Sequence, residues 1–146
     1  MDRTEIMKLL PHRNSMLLLD EVTKNGDEAE GMYRIKGTEF FLDGHFPGFP
    51  IVPGVILCEI LAQTACVLLE GALDENSLPV YAGLDKVRFR SPVHPGDEFR
   101  TKCRITKSKG PFYFAEGEGY AGGNLAITAS FSFAIAGKDQ VCSQKS

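Results

Sequence analysis

The 146 residues, 43% of them hydrophobic and 24% charged, suit one domain with a sizeable core, so residues 1–146 are read as a single unit. A net charge of −3 argues against nucleic acid as a partner, and the longest apolar run, interrupted by Glu59 and Gln63, makes a poor membrane span. No basic-plus-apolar signal opens the chain, Cys58, Cys66, Cys103 and Cys142 lack CxxC spacing, and His12, His45 and His94 stand singly; reduced thiols, a cytoplasmic location and no metal site are expected.

In chain order, residues 3–10 put Ile6, Leu9 and Leu10 on one face of a short amphipathic helix that Pro11 stops. Residues 16–22 (MLLLDEV) read as a buried strand. Asn25-Gly26 signals a hairpin, and residues 30–38 return as its partner. A proline-punctuated apolar loop follows, with Phe40, Phe41, Phe46, Phe49, Ile51 and Val52 among Pro47, Pro50 and Pro53. Loop backbone normally needs water, so a loop this greasy is buried or grips something apolar.

Residues 54–69 predict a long apolar helix with Pro53 near its first position. Residues 80–90 predict a strand in which Val87 and Phe89 alternate with Arg88 and Arg90. Residues 98–106 show the same period, with Phe99, Thr101, Cys103 and Ile105 inward. The last strand, 125–136, carries Leu125, Ile127, Phe131 and Phe133 on one face and small residues on the other, ahead of a polar, frayed tail from Gly137. Gly117, Gly119 and Gly122 satisfy GxGxxG, but between two strands the pattern marks turns and bulges and not a dinucleotide site. The sum is an α+β fold in which five or six antiparallel strands form a curved sheet around one helix.

On that helix Glu59, Gln63, Cys66 and Glu70 share one narrow stripe. Periodicity leaves a buried stripe and a solvated one equally open. Buried without a cation, Glu59 would become a proton donor through desolvation. At the helix start the first amides lack intrahelical partners, and Gly54 would let an oxygen approach the backbone. His45 lies in the loop leading to this point, a structural or a catalytic histidine. Together the three suit proton abstraction beside a thioester or similar carbonyl.

The motif HFPGFPIVPGV, followed by Glu59 and LAQ, preceded by LPHRNSMLLLDEV and followed by YAGLDKVRFRSPVHPGD, closely resembles the FabZ-type β-hydroxyacyl-acyl carrier protein dehydratases of type II fatty-acid synthesis. The likeness runs from about Glu5 to Ile135. It implies a hot dog fold and dehydration of (3R)-3-hydroxyacyl chains to trans-2-enoyl chains, with acyl carrier protein as partner and no cofactor. By the same resemblance His45 removes the C2 proton, Glu59 assists departure of the hydroxyl and the Gly54 N–H holds the thioester carbonyl. Phe46 contacts substrate and Tyr81 gates the acyl tunnel. The resemblance further implies a homodimer whose sites each take histidine and glutamate from different subunits, often assembled into a hexamer. Lys86, Arg88 and Arg90 suit docking of an acidic carrier protein, although a solvated strand face explains them equally well. Asn14-Ser15 departs from an aromatic-proline pair common in relatives, and Phe49 puts a large ring at a variable position. A hot dog acyl thioesterase and a non-catalytic acyl-binding module are the competing readings.

Overall fold

A computed structural model of the protein describes residues 1–142. Helix α1, Arg3–Leu9, starts where the Asp2 carboxylate accepts the Glu5 N–H, and it ends just ahead of Pro11. Strands β1, Glu21–Asn25, and β2, Glu28–Arg34, form the expected hairpin, its turn passing through Gly26 at φ 67°.

The strand expected over 16–22 is not one: β1 begins only at Glu21, although Leu17, Leu18 and Leu19 are buried. A side chain takes the place of a neighbouring strand here. Gln63 Oε1 accepts from the Leu18 N–H at 2.9 Å and its Nε2 donates to the Met16 carbonyl at 2.7 Å. The return strand also stops early, at Arg34, because the chain turns at Gly37. Glu39 organises that turn by accepting from the Lys36 and Gly37 amides and the Tyr33 hydroxyl.

Helix α2, Gly54–Cys66, continues as a 3₁₀ turn, Val67–Leu69, over the expected span. Strands β3, Ser77–Phe89, β4, Glu98–Lys109, β5, Phe112–Ala121, and β6, Asn124–Gly137, complete an antiparallel sheet of order β1-β2-β4-β5-β6-β3. Because α2 touches every strand from β2 to β6, the sheet wraps the helix as a hot dog fold requires. Ile60 and Leu61 of the helix meet a sheet face built from Phe99, Cys103, Ile127 and Phe133 in one buried core.

Gly117 and Gly119 sit within β5, where a side chain at 117 would strike Cys103 Sγ at 2.7 Å and one at 119 would strike Phe99 Cζ at 2.3 Å. They are glycines of close packing as well, while the register shift between Gly119 and Tyr120 and the turn through Gly122 at φ 58° match the expected bulge and turn. Two other readings change. The alternation in β3 is broken by an irregularity between Asp85 and Arg88, and Phe89 is 57% exposed. A short helix α3, Lys138–Cys142, stands where a frayed tail is expected, and residues 143–146 of that tail lie outside the described residues.

Candidate active site

The loop from Phe40 to Pro53 closes on itself through His45. The Ile51 N–H donates to the His45 carbonyl at 2.9 Å, and His45 Nδ1 lies 3.0 Å from the Ile51 carbonyl. A carbonyl can only accept, so Nδ1 carries a hydrogen, and the neutral ring's lone pair is then on Nε2. Phe46 stacks on the imidazole with ring centroids 4.2 Å apart, across a cis His45–Phe46 peptide. The ring is thus oriented from both sides, and its Nε2 has no hydrogen-bond partner among the described residues.

His45 and Gly54 line one open pocket of about 490 Å³, together with Phe89 and Arg90. Gly54 is the first residue of α2, ahead of the first helical bonds, which run from Ile56 and Leu57 to the Pro53 carbonyl. Its N–H is therefore placed to meet a ligand oxygen at the positive end of the helix. Glycine is also needed for packing, because a Cβ at 54 would lie 2.6 Å from the Phe89 ring. Phe89, which alternates with Arg88 and Arg90 in the sequence, is a wall of this pocket.

Glu59 faces a different pocket, of about 250 Å³, shared with His12, Gln63, Cys66 and Tyr81. No residue is common to the two pockets. The helix stripe proves to be split along its length. Gln63 and Cys66 are buried, Glu59 is 22% exposed at its side chain, and Glu70 lies outside in an ion pair with Lys24. The condition set for an isolated buried acid is not met, since Glu59 Oε2 accepts from Gln63 Nε2 at 2.9 Å and lies 3.3 Å from His12 Nε2. His12 sits within a quoted motif, yet nothing local ties it to Glu59.

Burial, and after it the charge of Glu59, pushes the Cys66 thiol far above its ordinary range, so this sulfur is a neutral wall and not a nucleophile. Burial likewise raises the Tyr81 phenol, with the neighbouring Cys58 and Glu59 adding to it, and its hydroxyl donates to the Cys58 carbonyl at 2.6 Å. Tyr81 therefore sits with Glu59, apart from His45. The three basic residues are not gathered. Arg90 lines the His45 pocket, Arg88 is exposed, and Lys86 lies in a separate groove beside Lys102 and Arg104. Phe49 is 79% exposed.

The ApeI-like (ApeI dehydratase) family model matches residues 21–124. A 3-hydroxyacyl-acyl-carrier-protein dehydratase FabZ of Nitratidesulfovibrio vulgaris is 37% identical across 97% of this chain and 95% of its own length. The FabZ of Alkaliphilus metalliredigens is 40% identical across 92% and 94%. Among solved structures, the dehydratase heterocomplex ApeI:P from Xenorhabdus doucetiae superposes with a TM-score of 0.80 at 19% identity, covering 94% of this chain and 95% of that one. A thioesterase superfamily member from Thermus thermophilus reaches 0.66 at 18% identity, over 82% and 88%. Such distant likenesses speak for the fold, whereas agreement with FabZ dehydratases along nearly the whole sequence places this chain in the ApeI-like dehydratase family, among relatives of the FabZ type.

Proposed function

We propose that the protein removes water from 3-hydroxyacyl chains carried on acyl carrier protein, giving the trans-2-enoyl thioester of fatty-acid elongation. The observation that carries this reading is the His45 imidazole, hydrogen-bonded at Nδ1 and free at Nε2, beside the open amide of Gly54. His45 Nε2 takes the proton from C2 while the Gly54 N–H holds the thioester oxygen as it becomes negative. One such preorganised donor contributes about 2.7–4 kcal/mol to the transition state. Glu59 delivers a proton to the C3 hydroxyl, which leaves as water as the C2–C3 double bond forms. Acid and base each add roughly a hundredfold to ten-thousandfold.

Because His45 and Glu59 face separate pockets of one chain, the reading includes a homodimer in which the His45 pocket of one copy meets the Glu59 pocket of the other. Two features support it. Strand β3 is a long sheet edge carrying exposed Val80, Leu84 and Phe89, and the loop and helix start present Phe46, Phe49 and Val55 to the outside. An unprotected apolar edge is a template for pairing with another chain. In that assembly Phe46 would line the acyl chain's path, Tyr81 would border its far end, and Arg90 would meet the acidic carrier at the mouth. The thiols Cys58, Cys66 and Cys103, free and buried, accord with a reducing cytoplasm.

The test is product analysis with a 3-hydroxyacyl carrier-protein substrate. The reading predicts enoyl thioester with the carrier still acylated. Release of free carrier thiol would mark a thioesterase instead, and binding without turnover would mark an acyl-binding module.

A further inference from the structure

The segment between α1 and β1 carries a histidine that none of the steps above uses. Arg13 fixes this segment, donating to the Met7, Leu10 and His12 carbonyls at 2.8, 2.7 and 2.7 Å. Three carbonyls at the end of a short helix and just beyond it are thereby satisfied by one guanidinium, a rigid planar donor. The backbone of His12 is held from behind while its ring reaches the α2 stripe. His12 Nε2 lies 3.3 Å from Glu59 Oε2. Its other nitrogen, Nδ1, is buried and has no hydrogen-bond partner among the described residues. A ring whose buried second nitrogen is left unpaired has been placed for the contact its first nitrogen makes.

The Glu59 end of the contact is equally directional. Gln63, fully buried, spends its carbonyl oxygen on Leu18 N–H and divides its NH₂ between the Met16 carbonyl and Glu59 Oε2. It has no freedom to follow a moving carboxylate. Oε2 thus accepts from Gln63 and lies 3.3 Å from His12 Nε2, while Oε1 has no partner among the described residues.

Resting on the dehydratase reading above, we propose that His12 is a positioning residue: with Gln63 it anchors Glu59 Oε2, so that Oε1 is the oxygen that passes the proton to the departing hydroxyl. The division of labour is chemical. Oε2 is occupied as an acceptor, so Oε1 is the oxygen left to carry the proton to be transferred. A carboxyl group held at one corner only would rotate about its last bond and present either oxygen. Flanked at that corner by Gln63 and His12, it presents one.

The experiment compares His12→Met, which fills similar space without a donor, with His12→Gln, whose amide can donate to Oε2. Steady-state turnover of a 3-hydroxyacyl carrier-protein thioester is measured for both, and a crystal structure of each variant fixes the Glu59 carboxylate. His12→Met should lose roughly tenfold to a hundredfold in kcat, the range for about an ångström of misplacement, while KM stays within about twofold. His12→Gln should recover most of that loss, and Glu59 should turn only in the methionine variant. Equal kcat in the two variants, or an unmoved Glu59 carboxylate in His12→Met, would overturn the proposal. Should the unaltered protein show no dehydration, the dehydratase reading fails, and the carboxylate orientation in the two crystal structures still decides whether His12 positions Glu59.

Discussion

The loop Phe40–Pro53 and the helix α2 that follows it carry one half of the proposed chemistry each, and they are built in opposite ways. In the loop, His45 is oriented by neighbours six residues away or fewer, through the paired bonds to Ile51 and the stacked Phe46. In the helix, Glu59 is held by Gln63, four residues on, which is itself braced by the distant Met16 and Leu18, and it is met by His12, arriving from beyond α1. The loop leaves apolar rings exposed, Phe49 at 79% and Phe46 at 53%, whereas Ile60, Leu61 and Ala65 of the helix are sealed at 0%. The helix half is sealed within one chain, whereas the loop half keeps a greasy rim exposed. On this view a catalytic base is set by local backbone, and its acid partner is set by tertiary structure.

The sharpest way to break the comparison is to remove each reacting group. His45→Ala should abolish dehydration, with a fall in kcat of at least about a hundredfold, while acyl binding persists; Glu59→Gln should do the same. Circular dichroism should show both variants folded, because neither side chain belongs to the core.

Next in size is the brace of the helix half. Gln63→Leu strands the Leu18 N–H and the Met16 carbonyl, so chemical denaturation should show a loss of about 2–4 kcal/mol. No comparable stability loss is expected from His45→Ala, and an equal loss would contradict the difference drawn between the halves.

Gly54→Ala probes the junction. The added methyl would meet Phe89 at 2.6 Å, and because that ring is 57% exposed it can swing aside into the pocket with little cost to folding. Turnover should fall roughly tenfold to a hundredfold, and Phe89→Ala added to Gly54→Ala should restore part of it. A Gly54→Ala variant with full activity would show that the Phe89 ring position does not matter.

The smallest effect concerns the turn that launches the loop. Burial would raise the Glu39 carboxyl, but the donors from Lys36, Tyr33 and Gly37 outweigh it, leaving its folded-state value below the ordinary 4.5. Between those two values the unfolded chain binds more protons than the folded one, so this contribution to stability is present above the ordinary value and is lost as pH falls through the lowered one. Glu39→Gln should therefore unfold with a flatter dependence on pH in that acidic window than the unaltered protein does. Identical acid profiles would contradict the assignment.

Much of this architecture was legible because its causes are local. Pro53 and Gly54 announce the start of α2, Asn25 and Gly26 the first turn, and the alternation of Phe99, Thr101 and Cys103 the half-buried β4. The family motif brought His45, Gly54 and Glu59 forward. What local pattern missed has nonlocal causes. Leu17–Leu19 look like a strand because they are buried and apolar, but their backbone is paired in part by a glutamine 45 residues later. Phe89 fits an alternating strand, yet it lies at the end of a sheet edge, where it covers Gly54. The stripe on α2 could not be divided into wet and dry parts until the N-terminal segment was seen to lie across Glu59 and Gln63.

The central claim is that the two halves of each site come from two copies of the chain. Its most direct test mixes inactive His45→Ala with inactive Glu59→Gln under conditions where subunit exchange is demonstrated. Random pairing would make half the dimers mixed, each with one complete site, so about a quarter of wild-type activity should return. No recovery despite proven exchange would contradict the account.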